Sequence, residues 1–395
     1  MSKYAKLVMV TSDNNNKYYE MTEDGTGSFD VKYGRIESTA QTARYSMSHW
    51  ESKYREKQKK GYKDVTHTVQ VQIPTAVDTP TKLSKIADDK VDRFLSLMKK
   101  YTDGLVASTY TVKAQNVTQT QVDNAQGFID KLTKLKKTDV TGINSILLEL
   151  YMEIPRFMGN VKDYLLPNID LTKTLQQEQD NLDSLQSQVS QLKAEKIVKK
   201  SKKKDQNLLD LLGITMSEQK TIPSEIKYLT DQVSSTGTKI DCIFKVDKSV
   251  QSKVYDDWIS KAKNKDFKFL IHGTRNASVL SILTQGLMIR PVGNYQFSGA
   301  VYGQGLYFSE TVSKSLNYTG SDSDKILFVF EVHVGVPFCY DGWFRGNSFT
   351  LDYKNLQERG FDSTFVKAGN GLLNSEIITY TENQNKLRYI IHLKR

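Results

Sequence analysis

Cysteines, histidines and long apolar runs are scarce in this sequence. Its 395 residues include two cysteines, Cys242 and Cys339, which lie 97 residues apart, and five scattered histidines. Two cysteines cannot build a disulfide framework or a four-cysteine zinc site, so we expect a reducing, intracellular environment and no metal. The sequence also lacks an apolar run of about 18 residues and the apolar core of a secretory signal, so we expect no membrane contact.

The charge that is present is positive and unevenly distributed. The formal net charge is +10, and a hydrophobic fraction of 38% excludes a disordered chain. Between Lys32 and Lys63 there are nine basic and three acidic residues, a local charge of +6. Interleaved tyrosines suit this segment to phosphate contacts and base stacking, although a solvated lysine-rich helix face would give the same pattern.

The N-terminal segment is predicted to form an antiparallel sheet followed by a helix. Residues 5–10, 17–21 and 28–36 are apolar or alternate between apolar and polar side chains, with turns rich in Asn and Gly between them. Residues 46–60 follow a helical pattern. A proline-bounded linker, 74–80, then separates this segment from the next.

The pattern from residue 83 to about residue 200 predicts a helical bundle. Apolar residues recur at helical spacing from Val91 to Met98 and from Ile143 to Leu150, and Pro155 should end the second of these helices. The lysine-rich run 193–204 fits a nucleic-acid contact, a nuclear-import signal or a solvated helix end. Residues 206–395 are rich in strands, with candidates at 240–246, 267–272, 326–334 and 387–393 and a helix at 278–285.

Three features of the last segment carry functional groups. His272-Gly273 ends a predicted strand, and Glu376 begins another after Asn374-Ser375. Between them, Gly303-Gln304-Gly305-Leu306-Tyr307-Phe308 precedes Ser313-Lys314-Ser315-Leu316-Asn317-Tyr318. Two aromatic faces and a hydroxyl suit a flat carboxamide ring. Taken singly, each feature has a structural explanation as well: a packed histidine, half-buried tyrosines or a strand-end charge.

The three features in this order resemble the catalytic domain of the poly(ADP-ribose) polymerases, which are diphtheria-toxin-like ADP-ribosyltransferases. Residues 31–36 resemble the Trp-Gly-Arg strand of the WGR domain, with Tyr33 in the tryptophan position. The resemblance implies a multidomain α+β protein. Its parts would be a small antiparallel-sheet WGR-like domain (1–75), an all-helical regulatory bundle (80–204), and a mixed α+β ADP-ribosyltransferase domain with two packed antiparallel sheets (206–395).

The resemblance implies that NAD⁺ is the substrate and that no metal is needed. His272 would bind the adenine-side ribose. The Gly273 backbone and the Ser315 hydroxyl would hold the nicotinamide carboxamide, and Tyr307 and Tyr318 would enclose the ring.

The same resemblance assigns the groups around the reacting ribose. Glu376 would bind the 2′-hydroxyl and support polymer elongation, with Lys314 as a nearby cation. Many family members carry Arg where this chain has Met288, so Arg290 is the candidate for contacting the diphosphate. Ala300 replaces a tyrosine of the pocket.

The leading hypothesis is a poly-ADP-ribosyltransferase of the DNA damage response, stimulated by DNA strand breaks. DNA would dock through Tyr33, Arg35, Lys53 and Lys57, and loosening of the helical domain would admit NAD⁺. Acceptors would include other proteins and the chain itself. The location would be intracellular and DNA-associated: nuclear in a eukaryote, otherwise cytoplasmic. Transfer of single ADP-ribose units to protein or DNA ends, and a catalytically silent module that binds DNA ends or ADP-ribose, are the alternatives.

Overall fold

The computed structural model describes residues 2–66, 84–201, 206–290, 301–340, 351–369 and 372–395, with side chains of residues 115 and 194–201 excepted. The predicted linker 74–80, Ala300 and most of the basic run 193–204 lie outside the described backbone or side chains. The described chain forms two compact units: residues 2–66 with 103–192, and residues 84–102 with 193–290 and the segments from 301 onward.

The first unit contains the predicted antiparallel sheet. Its strands are β1 (Tyr4–Thr11), β2 (Asn15–Glu23), β3 (Ser28–Arg35), β4 (Gln41–Ser46) and β5 (Lys63–Asp64), in the order β4-β3-β2-β1-β5. Helix α1 (Trp50–Lys59) follows a 3-10 turn, Met47–His49, which confirms the predicted helix. Trp50 is buried with its ring 5.0 Å from that of Phe29, so an aromatic contact fixes α1 on the sheet.

The predicted helices are present in the middle of the chain. They are α2 (Asp89–Thr109), α3 (Gln119–Lys134), α4 (Val140–Glu153) and α5 (Leu171–Ser201). Thr118 and Gln121 form a reciprocal capping box that starts α3, and α4 ends before Pro155, as expected for a residue that cannot continue a helix. The division between the two units falls within α2, after Thr102. The three-domain boundaries stay a prediction.

The second unit contains two sheets. The strands are β6 (Ile214–Glu218), β7 (Lys239–Lys248), β8 (Phe267–Thr274), β9 (Leu306–Phe308), β10 (Asp324–His333), β11 (Pro337–Tyr340), β12 (Ser363–Val366), β13 (Glu376–Thr379) and β14 (Asn385–Lys394). The five-stranded sheet has the order β6-β7-β14-β10-β8 and is antiparallel, and it confirms the strands predicted at 240–246, 267–272, 326–334 and 387–393. Every residue of β10 is buried.

The four-stranded sheet corrects the prediction of two antiparallel sheets. Its order is β11-β12-β13-β9, and β11 pairs with β12 in parallel. Parallel neighbours need a crossover rather than a tight turn. The chain between these two strands provides one, and it includes a short helix that alternation of strand residues could not reveal.

Short helices complete the second unit. They are α6 (Leu208–Leu212), α7 (Lys227–Thr230), α8 (Ser249–Lys261), α9 (Val279–Gln285), α10 (Val312–Leu316) and α11 (Tyr353–Glu358). The first part of α2 shares the apolar core of this unit, where the Phe94 ring lies 4.8 Å from that of Phe244. Among the described helices, none combines the length and apolar composition that crossing a bilayer would require.

Candidate active site

The two sheets of the second unit meet beside His272. Ile271 of β8 and Ser309, just after β9, exchange backbone hydrogen bonds of 2.9 and 3.0 Å. This bridge brings the end of β8 against the short strand β9 that carries Tyr307. His272 and Tyr307, which are 35 positions apart in the sequence, therefore face one another across the junction.

Gly273 allows α10 to pack against β8. A Cβ atom added to Gly273 would lie 1.9 Å from the Ser315 carbonyl oxygen, a distance that no side chain tolerates. The absence of a side chain thus sets how closely α10 approaches the strand. Ser315 is buried at this contact, and its backbone lies directly beside that of Gly273.

His272 has a defined tautomer. Its Nδ1 lies 3.1 Å from the Tyr307 carbonyl oxygen, and its ring is edge-on to Phe308. Burial lowers the pKa of His272, which favours the neutral imidazole. Because a carbonyl oxygen only accepts hydrogen bonds, Nδ1 carries the proton and Nε2 is left as an acceptor. The side chain can therefore accept a hydrogen bond from a ligand hydroxyl.

The Tyr307 ring is fixed by the turn that precedes β9. Its hydroxyl donates to the Gly303 carbonyl and accepts from the Tyr302 N–H, both at 2.8 Å. Gly303 adopts a φ of +91°, a conformation that L side chains rarely adopt, and burial raises the pKa of Tyr307. The ring is thus a rigid, neutral wall of the site.

Glu376 and Lys314 form an ion pair at the centre of the cluster. Lys314 Nζ lies 2.6 Å from Glu376 Oε1 and also donates to the Asn374 carbonyl at 3.1 Å. The Lys314 and Glu376 side chains are only 12% and 9% exposed. This carboxylate at the start of β13 is therefore buried and paired, which excludes the alternative of a strand-end charge in water.

Three tyrosines lie around this carboxylate. Burial and the charge of Glu376 together raise the pKa of Tyr302, Tyr307 and Tyr318, with burial the larger cause in each case. Tyr318 is 43% exposed, whereas Tyr302 is buried. The site therefore combines enclosed aromatic walls with one ring that borders solvent.

Tyr302 and Tyr380 are site residues that the sequence analysis missed. The Tyr380 hydroxyl donates to the Tyr302 carbonyl at 2.7 Å and lies 3.0 Å from Thr364 Oγ1. It thereby supports the turn that orients Tyr307. The position of Tyr302 directly before Gly303 was the available signal.

The structure brings together seven of the eight predicted residues of the NAD⁺ site: His272, Gly273, Tyr307, Lys314, Ser315, Tyr318 and Glu376. Arg290 ends a described segment in which the neighbouring Ile289 N–H donates to Glu382 Oε1 at 2.7 Å. Its contact with a diphosphate stays a prediction.

Two of the predicted DNA-binding residues lie on β3 in the first unit. Tyr33 packs with its ring 5.9 Å from that of Tyr19. Arg35 donates to the Asn14 carbonyl at 2.7 Å, to Asn14 Oδ1 at 3.0 Å and to the Gly159 carbonyl. The guanidinium therefore joins the sheet to the chain that precedes α5, within the same unit.

The other two lie on α1. Lys53 pairs with Glu56 at 3.3 Å, and its Nζ lies 4.9 Å from the centre of the Tyr45 ring. Lys57 Nζ lies 4.3 Å from the Tyr19 ring centre, and burial lowers the pKa of Lys57. The basic and aromatic residues that are interleaved in the sequence therefore contact one another within the unit.

Comparison with known proteins matches residues 216–340 to the poly(ADP-ribose) polymerase catalytic domain. The poly(ADP-ribose) polymerase-like protein 100L of Invertebrate iridescent virus 6 is 48% identical over 181 residues, which are 46% of this chain and 98% of that relative.

Longer relatives are more distant. Chicken poly(ADP-ribose) polymerase 1 is 23% identical over 364 residues, which cover 82% of this chain and 35% of the relative. The chicken protein mono-ADP-ribosyltransferase PARP3 is 28% identical over 228 residues, which cover 54% of this chain and 39% of the relative. This chain thus spans little more than a third of the length of either chicken protein.

Proposed function

The chain belongs to the poly(ADP-ribose) polymerase family, and from that premise we propose that it transfers ADP-ribose from NAD⁺ to protein acceptors and elongates the polymer. The observation that carries this proposal is the buried Lys314–Glu376 pair, which borders a cluster of tyrosines and lies beside a strand-ending His-Gly. A buried, paired carboxylate next to aromatic walls suits a reaction that develops positive charge on a sugar.

NAD⁺ would bind in two parts. The Gly273 backbone and the Ser315 hydroxyl would hold the carboxamide, and Tyr307 and Tyr318 would enclose the nicotinamide ring. Nε2 of neutral His272 would accept a hydrogen bond from the adenine-side ribose. These groups supply orientation, which is a large part of catalysis when two reactants must meet in a fixed geometry.

The reaction breaks the bond between the ribose anomeric carbon and the nicotinamide nitrogen. Nicotinamide leaves with the bonding electrons, and the ribose acquires oxocarbenium character, as in glycoside hydrolysis. Glu376, holding the 2′-hydroxyl, would stabilise that positive charge. The acceptor oxygen then bonds to the anomeric carbon, and a hydroxyl acceptor loses its proton, which Glu376 can take.

Polymer growth is the finer part of the proposal. Glutamate at this position supports it, because the hydroxyl of a previous ADP-ribose unit is a weak nucleophile that benefits from a base. Transfer of single units is the second candidate, and the similarity to the chicken relative named a mono-ADP-ribosyltransferase favours it. Modified protein migrates as a ladder or smear in the first case and as one discrete shift in the second.

Stimulation by DNA breaks is also part of the proposal. The WGR-like domain predicted at 1–75 would meet DNA through Tyr33, Arg35, Lys53 and Lys57. Two features of α2 in the second unit support regulation by the helical segment: Phe94 packs in the catalytic core, and the Tyr101 hydroxyl donates to Asp324 Oδ2 at 3.0 Å. Loosening of such contacts is an order–disorder switch of a kind that DNA binding could trigger.

The test of the chemistry uses Glu376→Gln with Glu358→Gln as control. Glu358 is an exposed carboxylate on α11 that pairs with Lys354 at 3.9 Å. We expect Glu376→Gln to stop chain growth and to lower nicotinamide release from NAD⁺ by at least about 10²-fold, whereas the control retains both. Wild-type protein that releases no nicotinamide with or without nicked DNA would favour the silent module instead.

The test of DNA regulation measures binding of a labelled nicked duplex by Lys53→Gln and Lys57→Gln. Each lost phosphate contact should weaken affinity and reduce the slope of log K against log salt by about 0.9. Lys354→Gln on α11 removes an exposed charge outside this surface and should change neither. Nicotinamide release that is identical with and without nicked DNA would refute the regulatory part alone.

A further inference from the structure

A bulge in β7 places two consecutive side chains on the same side of the five-stranded sheet. Along the β7–β14 ladder, Cys242 pairs with His392 and Ile240 pairs with Leu393, so Asp241 is an extra residue. In a regular strand, Asp241 and Cys242 would point to opposite faces. The bulge removes that alternation, and both side chains approach His392.

Three potential ligand atoms form a compact triangle at this bulge. His392 Nδ1 lies 3.4 Å from Asp241 Oδ2 and 3.8 Å from Cys242 Sγ, and Sγ lies 3.8 Å from Asp241 Oδ2. Bond lengths of about 2.0–2.3 Å in a tetrahedral zinc site place its ligand atoms about 3.3–3.6 Å apart. The triangle needs to contract by only a few tenths of an ångström.

We propose that Asp241, Cys242 and His392 bind a divalent transition-metal ion, of which Zn²⁺ has the matching chemistry. A thiolate, an imidazole and a carboxylate are the three donor types that zinc accepts, and three protein ligands leave one position for water. This proposal is independent of the NAD⁺ site, since none of its ligands takes part in the proposed transfer. It replaces the expectation from the low cysteine count that the protein binds no metal.

The second ring nitrogen of His392 has the partner that such a ligand requires. His392 Nε2 lies 2.7 Å from Asp324 Oδ1, and Asp324 Oδ2 accepts from the Tyr101 hydroxyl. A carboxylate on the far nitrogen fixes the tautomer and turns the other nitrogen toward a metal. With Nε2 donating to Asp324, the lone pair of Nδ1 faces Asp241 and Cys242.

Charge and access are compatible with a dication. The Cys242 thiolate and the Asp241 carboxylate would together balance two positive charges. Lys394 pairs with the other oxygen, Asp241 Oδ1, at 3.1 Å and leaves Oδ2 directed at the cluster, while the charge of Lys90 acts on Asp241 from nearby. The Asp241 side chain is 31% exposed, so an ion can enter from solvent although Cys242 and His392 are buried.

The experiment starts from Cys339→Ser, in which Cys242 is the sole cysteine of the chain. Co²⁺ is added to the full-length protein as a spectroscopic substitute for zinc. We expect saturation at one equivalent, with a thiolate-to-cobalt charge-transfer band and visible bands of a four-coordinate ion, and loss of both when Zn²⁺ is added. Because Cys339 is absent, the thiolate band can arise only from Cys242.

Two further variants define the ligand set. Cys242→Ser should lose the charge-transfer band, and Asp241→Asn should weaken Co²⁺ binding by at least tenfold while preserving the fold, since its side chain borders solvent. Far-UV circular dichroism and a thermal melt, measured in parallel, report whether each variant is folded. No stoichiometric binding in Cys339→Ser, or a thiolate band that survives in folded Cys242→Ser, would overturn the proposal and leave a hydrogen-bonded cluster.

Discussion

Replacing Gly273 with alanine tests whether the close packing of β8 and α10 creates the NAD⁺ site. The new Cβ would lie 1.9 Å from the Ser315 carbonyl oxygen, about 1.5 Å short of the 3.4 Å at which ordinary contacts begin. Neither element can easily move. Gly273 pairs with Leu327 within an eight-residue ladder, and Ser315 is buried. The strand and the helix must therefore separate by an amount comparable to the overlap.

The displacement sets the expected size of both effects. Overpacking of this kind costs about 1–3 kcal/mol of the free energy of unfolding. A misplacement of about 1 Å in positioning groups can lower a rate by about 10²-fold. Because α10 carries both Ser315 and Lys314, we expect Gly273→Ala to lower kcat/KM for nicotinamide release by about 10²-fold or more. At a temperature where the variant stays folded, its loss of stability alone would lower kcat/KM by much less.

The assay is the initial rate of nicotinamide release from labelled NAD⁺, paired with a thermal melt. Gly127→Ala is the matched control, since a Cβ at that position in α3 meets nothing within 4 Å and alanine favours a helix by about 0.5–1 kcal/mol. The control should keep full activity and melt slightly higher. Wild-type kcat/KM and Tm in Gly273→Ala would show that the strand–helix approach does not govern the site.

Three other variants probe separate parts of the molecule. Lys314→Met should lower kcat/KM by about 10²-fold because Glu376 loses its 2.6 Å partner, and Lys314→Arg should recover part of the rate in the same assay. Burial lowers the pKa of His272 below 6.5, so the unfolded chain binds more protons than the folded chain below that pH. Urea titrations should therefore show stability falling from pH 7 to pH 5.5, and less steeply in His272→Gln. Arg156→Met should cost about 3–5 kcal/mol of unfolding free energy, because it leaves buried Glu178 unpaired, and adding Glu178→Leu should restore much of it.

The sequence carried most of the information about elements with regular periodicity. Alternating residues in β14, the continuous apolar run of β10 and helical spacing in α2 and α4 predicted their type, since a strand with one buried face, a fully buried strand and an amphipathic helix have different patterns. The parallel β11–β12 pair escaped prediction because strand periodicity does not show whether neighbouring strands run parallel or antiparallel. No local pattern states which strand a short strand will pair with.

The candidate site shows the same limit in a different form. His272, Tyr307 and Glu376 were found because a family motif linked them, whereas the support of Tyr307 by Tyr302 and Tyr380 depends on how two distant turns meet. Asp241 and His392 are more widely separated in the sequence than Tyr302 and Tyr380, and their side chains meet only because of a bulge in β7. Contacts created by a single irregularity of the backbone leave no periodic signal in the sequence.

The net charge of residues 32–63 identifies a basic segment, but it does not show which of the basic side chains already make contacts within the protein. The local +6 between Lys32 and Lys63 suggests an open cationic surface, yet Arg35 bonds to Asn14 and Gly159, and Lys57 lies against Tyr19. A duplex that recruits Arg35 must compete with its bond to Gly159, which joins the sheet to the helical part of the same unit. On the proposal that DNA docks here, we expect its affinity to be coupled to the packing of those helices, so that a variant in which the Gly159 contact is weakened should bind DNA more tightly rather than less.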